Sequence, residues 1–142
     1  VGHAHSGGDL VIHLPRERVV LAGDLIAWPA PLVGSTARPR TFRAALDTLS
    51  ALNPSAIVPG HGPVVRDLGY VHRTARALDA LVAGVAASVA RGDEIAETRR
   101  AVRLDAARRE FAGDSRLFGF LFDTHVLSHG IPAAIAEVRA QK

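Results

Sequence analysis

Three short stretches constrain this chain more than anything else in it: Gly2-His3-Ala4-His5-Ser6-Gly7-Gly8-Asp9, Leu21-Ala22-Gly23-Asp24 and Val58-Pro59-Gly60-His61-Gly62-Pro63. Each puts a His or an Asp where a strand-like run meets a loop. Neutral imidazole and carboxylate are donors that suit zinc and similar divalent ions. The chain has no cysteine. Disulfide frameworks and thiolate metal sites are therefore excluded, and His, Asp and Glu are the only strong metal ligands available.

The order of elements follows from the pattern around these stretches. Residues 8–24 read as a β-hairpin, with Leu10, Ile12 and Leu14 alternating with Val11 and His13, a polar turn at 15–18, and Val19-Val20-Leu21-Ala22 as a buried strand that ends at Gly23-Asp24. Residues 27–40 are a loop rich in Pro, Gly, Ser and Thr, carrying Trp28, the only tryptophan. Trp28 suits either a core or lid aromatic or one wall of a substrate pocket. Phe42, Ala45, Leu46, Leu49 and Leu52 predict an amphipathic helix over 41–52, stopped at Asn53-Pro54. Ala56-Ile57-Val58 predicts a short strand that breaks at Pro59, where two glycines permit close backbone approach and two prolines stiffen the turn. The chain turns helical from Asp67, with a stripe from Val71 to Val89, Gly92 as a C-terminal cap and Asp93 as the next N-cap. The arginines of residues 94–112 alternate with acids and read as a solvated, ion-paired face. Phe118, Leu121, Phe122 and Val126 predict another packed helix, and Pro132 suits the start of a last one running to about Arg139. His13, His72, His125 and His129 have no paired ligand in sequence and read as surface or packing residues.

The organisation expected is α/β and a single domain or half-domain over 1–142, strand-rich in 1–65 and helical in 66–142. At 142 residues the chain can bury its own core, and 48% hydrophobic with 22% charged residues is a globular composition. No apolar run approaches the roughly 20 residues of a membrane span. Because Val1-Gly2-His3 opens directly on a motif and the chain contains no Met, we expect no signal peptide and read the sequence as a fragment, a processed product or a truncated gene product. The lack of cysteine suits cytoplasm or periplasm alike.

The ordered trio resembles the second half of metallo-β-lactamase-fold hydrolases. That family has a His-X-His-X-Asp-His motif in its first half, then a His-Thr/Ser motif near glycine, a strand ending in Gly-Asp and a strand ending in Gly-His. His5-Ser6 with Gly8-Asp9, Ala22-Gly23-Asp24 and Pro59-Gly60-His61-Gly62 fit the last three in order, over roughly residues 1–65. The His-X-His-X-Asp-His motif is absent from this chain. The fold implied is the second half of an αβ/βα sandwich, strands in 1–60 followed by a helical region. The cofactor implied is a pair of zinc ions, with iron or manganese as alternatives. The resemblance assigns His5 to the first metal, Asp24 to a bridge between both, and His61 to the second, and it places His3 and Asp9 beside the ligands, with Asp9 orienting the loop after His5. It assigns no separate catalytic side chain to this chain, because metal-made hydroxide would attack the ester, thioester, lactam or related bond.

Two readings follow. One is a part of a metal-dependent hydrolase acting on a small-molecule substrate, inactive alone and completed by the missing N-terminal half. The other is a non-catalytic remnant or interaction module of that fold. Loss of the first half would uncover apolar area or open sheet edges, which predicts a homodimer or aggregation. An aromatic content of 5% and the interleaved acids argue against a nucleic-acid partner.

Overall fold

The computed structural model describes residues 1–140. In chain order it contains β1 (Ile12–Leu14), β2 (Val19–Ala27), α1 (Pro39–Ala51), β3 (Ala56–His61), α2 (Gly69–Arg91), α3 (Ile95–Ala101), α4 (Asp105–Ala112), α5 (Arg116–Phe122), a π-helical run over Asp123–His129, and α6 (Gly130–Arg139). The class is mixed α/β. Among the described residues no helix is long and apolar enough to cross a membrane.

The sheet has the order β1-β2-β3. β1 and β2 form the antiparallel hairpin that the alternation predicts, with Ile12 opposite Leu21 and Leu14 opposite Val19. β2 and β3 run parallel, Val20 beside Ile57 and Leu21 beside Val58. Parallel neighbours need a crossover, and α1 supplies it. Both strands outrun their expected ends. β2 passes through Gly23-Asp24 to Ala27 because Gly23, at φ +53°, absorbs a break in register and Leu25, Ile26 and Ala27 remain buried. β3 passes through Pro59, which lies opposite Gly23 at that same irregularity, and ends at His61.

The register divides the sheet into two unlike faces. Val20, Ala22 and Ile57 are buried and join Phe42, Leu46 and Leu49 of α1, Val71, Leu78 and Leu81 of α2, and Ile131 and Ala134 of α6 in one hydrophobic cluster. His13, opposite Val20, lies half-buried on this side. The other face carries Ile12, Leu14, Val19, Leu21 and Val58, all apolar. Ile12 is 56% exposed, Leu14 40% and Val58 37%.

The helical region departs from expectation in two places. The Arg-rich stretch is two helices, parted where Val102 and Leu104 turn inward and are buried. The N-cap of α3 is Glu94, which exchanges bonds with Glu97 in a capping box. Asp93 instead accepts from Ser88 and Arg91, which holds its carboxyl below the usual range. Gly92 does cap α2. α1 lacks a capping side chain of its own. The buried Glu137 of α6 takes that place, accepting from the Arg40 backbone N–H at 2.9 Å and from the Thr41 hydroxyl.

Candidate metal centre

The first stretch folds as a loop closed on Asp9. The Asp9 N–H donates to the Gly2 carbonyl at 3.1 Å. Its carboxylate accepts from the backbone N–H groups of Ala4 and Ser6, each at 2.9 Å, and from the Ser6 hydroxyl at 3.1 Å. Burial would raise the Asp9 carboxyl, but these donors, with His5, outweigh it and leave it below the usual carboxylate range. Asp9 Oδ1 also faces His5 Nδ1 at 3.2 Å. An ionised carboxylate there favours a proton on Nδ1 and leaves the lone pair on Nε2, the tautomer of a metal-ligating imidazole.

The second and third stretches meet where β2 and β3 pair side by side through their shared irregularity. Gly60 lies so close to β2 that a Cβ on it would stand 2.1 Å from Asp24 Oδ1 and 2.9 Å from the Gly23 carbonyl carbon. A Cβ on Gly62 would stand 2.5 Å from Trp28 Cβ. The Trp28 N–H donates to the His61 carbonyl at 3.0 Å. The Tyr70 hydroxyl, held protonated by burial, donates to the Ala27 carbonyl and ties α2 to the same corner.

These contacts place Asp24 between two imidazoles. His5 Nε2 lies 3.9 Å from Oδ2, and His61 Nε2 lies 3.4 Å from Oδ1. His5 is mostly enclosed, whereas the His61 side chain is 63% exposed, so the group opens to solvent on the His61 side. Donors that share a tetrahedral zinc at about 2.0–2.1 Å stand roughly 3.3 Å apart. Donor type suits zinc, and the spacing from His61 to Oδ1 is close to that value, while the spacing from His5 to Oδ2 is wider. Donor number does not suit a complete site: among the described residues no group of three or more His, Cys, Asp or Glu is arranged to hold one ion, and a zinc centre takes at least three protein ligands.

The other expected residues are placed as follows. His3 turns away from Asp24, and its Nε2 meets the Thr36 carbonyl at 2.7 Å. Trp28 packs edge-on against Phe118, with centroids 4.8 Å apart, and lines a cavity together with His61, Leu32, Leu121 and His125. His125 shares this cavity with His61, which comes from the far end of the motif region. Burial, with His129 and His61 nearby, lowers its pKa and favours the neutral ring. The only local signal for it was the spacing of four residues to His129, whose ring centroid is 6.1 Å away.

Residues 1–61 match the family model of the metallo-beta-lactamase superfamily. The match begins before His3 and ends on His61, so it contains all three candidate ligands. No curated protein matches the chain.

Proposed function

We propose that this chain is the second half of a metallo-β-lactamase-type αβ/βα sandwich, and that it contributes His5, Asp24 and His61 to a binuclear zinc-type hydrolytic site. The observation that carries this is the Asp24 carboxylate with one imidazole facing each of its oxygens, inside the matched residues. His5 would serve one ion, with its ring oriented by Asp9. His61 would serve the other, with its backbone fixed by Trp28. Asp24 would bridge them, held in register by the Gly23 irregularity and the close approach of Gly60. A bound divalent ion supplies water activation near neutral pH and polarisation of the scissile carbonyl or phosphoryl oxygen. The chain's own residues supply position, tautomer and one apolar wall for a small-molecule substrate.

The remaining donors belong, in this reading, to a first half carrying His-X-His-X-Asp-His, which would lie on the bare sheet face of Ile12, Leu14, Leu21 and Val58. The short donor set and the bare face also favour the second reading, a non-catalytic remnant that binds a partner through that face.

Zinc titration of the chain by calorimetry, with metal content measured after gel filtration, tests the assignment. Weak zinc binding that Asp24→Ala with His61→Ala abolishes is expected, together with no turnover by the chain alone. Zinc binding unchanged by that double substitution overturns it. Co-expression with a polypeptide carrying the His-X-His-X-Asp-His segment separates enzyme from remnant: the enzyme reading requires tight zinc and ester or thioester hydrolysis in the reconstituted pair.

A further inference from the structure

We propose that the cavity between Trp28 and the helical region is an acyl pocket, which takes a small apolar acyl group and turns its carboxyl oxygen toward His61 and His125. The inference rests on the hydrolase reading for its purpose, though not for its geometry. The cavity measures about 310 Å³, at the lower end of ligand clefts, which run from about 300 to 1,000 Å³. Its walls are apolar: the indole of Trp28, Pro29, Leu32 and Leu121, with alanines between. Among the described residues no charged side chain lines it, and its hydrogen-bonding side chains are the imidazoles of His61 and His125 and the indole of Trp28. A ligand that fits such a lining is mostly hydrocarbon with one hydrogen-bonding end.

The position of the imidazoles sets the direction. His61 belongs both to the cavity and to the group around Asp24, 3.4 Å from its Oδ1. The polar end of a bound ligand is therefore drawn to the donors and its apolar end to Leu32 and Leu121. The wall is preorganised. The Trp28 ring leans on Phe118, its N–H is bonded to the His61 carbonyl, and no space remains for a Cβ at Gly62. The helical region thus forms part of the site, with Leu121 in α5 and His125 in the π-helical run closing the side that the strand loops leave open.

Trp28 is the sole tryptophan, so its fluorescence reports the cavity directly. The metal-free chain is titrated with n-hexanoate, with acetate as the short control and 1-chlorobutane as the control without a hydrogen-bonding end. Saturable hexanoate binding is expected, with acetate at least about tenfold weaker, since about 0.8 kcal/mol accompanies each buried CH₂. Leu121→Arg, checked for fold by circular dichroism, should abolish it. His125→Leu should weaken hexanoate roughly fivefold and leave 1-chlorobutane unchanged, as loss of a single hydrogen bond requires. No saturable response, equal binding by Leu121→Arg, or hexanoate and 1-chlorobutane weakened alike by His125→Leu would each overturn the proposal. Asp24→Asn separates the two readings, because it removes the central zinc ligand and leaves the pocket walls intact. Hexanoate binding in a wild-type chain that takes no zinc keeps the pocket and defeats the hydrolase assignment, whereas zinc lost and hexanoate retained in Asp24→Asn alone supports both. Zinc binding in a chain that takes no hexanoate does the reverse.

Discussion

Gly60→Ala is the sharpest perturbation of the pairing that creates the candidate centre. The added methyl carbon would stand 2.1 Å from Asp24 Oδ1, 2.9 Å from the Gly23 carbonyl carbon and 3.0 Å from the Asp24 nitrogen. Rotation of the Asp24 side chain relieves only the first contact. The other two are backbone, and they are relieved only if β2 and β3 move apart where the Trp28–His61 hydrogen bond holds them. Overpacking of this kind costs about 1–3 kcal/mol. Gly60 is not among the glycines with positive φ, so Ala recovers about 0.4–1 kcal/mol through the unfolded chain. Taken at the middle of each range the net loss is about 1.3 kcal/mol, or roughly 3–5 °C in Tm for a domain of this size. Gly84→Ala is the matched control. It lies inside α2, where a Cβ comes no nearer than 3.4 Å to Val102, and helix propensity favours Ala by up to about 1 kcal/mol. Thermal melts of the two variants should move in opposite directions from the wild type, with His5 and His61 NMR resonances displaced only in Gly60→Ala. A Gly60→Ala chain as stable as Gly84→Ala, with unshifted histidines, would refute the close-approach argument.

Asp9→Ala leaves the N–H groups of Ala4 and Ser6 without their acceptor and should cost about 1–3 kcal/mol in urea titration. It should also weaken zinc binding about 10–100-fold through the freed His5 ring. Asp93 titrates below its unfolded value, held there by Ser88 and Arg91. Its contribution is complete above an unfolded pKa of about 3.9 and is lost as pH falls through the folded value, so Asp93→Asn should flatten the acid limb of a stability–pH curve measured between about pH 5 and 2. Ile12→Thr with Val58→Thr changes two exposed residues on the bare face and should alter stability by no more than about 0.5 kcal/mol each. Sedimentation velocity should show self-association in the wild type that this pair abolishes, and a monomeric wild type would count against homodimerisation through the sheet.

The parts of the site that are local in sequence were legible. Gly23-Asp24 and Gly60-His61-Gly62 carry their chemistry and their backbone latitude side by side, and Asp9 lies four residues from the ring it orients. Strand lengths were not legible. Gly-Asp and Pro-Gly are turn signals, yet here each interrupts one strand at the level where its neighbour is also irregular, so the pairing continues past both. The split between α3 and α4 depends on Val102 and Leu104 reaching the core, which an amphipathic count over 94–112 does not reveal. His125 was invisible for a related reason. Its meaning depends on the packing of Phe118 against Trp28, a contact between the first loop and the helical region that leaves no trace in the spacing around either residue.

The bare sheet face and the short donor set lie on the same strands, so any partner must be judged against both. A second copy of the chain could cover Ile12, Leu14, Leu21 and Val58 with the same apolar residues. It would bring only another His5, Asp24 and His61, and the donors of a His-X-His-X-Asp-His segment would still have to come from elsewhere. A partner carrying His-X-His-X-Asp-His on an apolar sheet would cover the face and complete the donors together. Self-association and zinc affinity therefore report different partners. If the face closes on a second copy, the Ile12 and Val58 substitutions abolish association and zinc binding remains weak throughout. If it belongs to a first half, reconstitution raises zinc affinity steeply, and the same substitutions, though neither residue is a donor, lower it again.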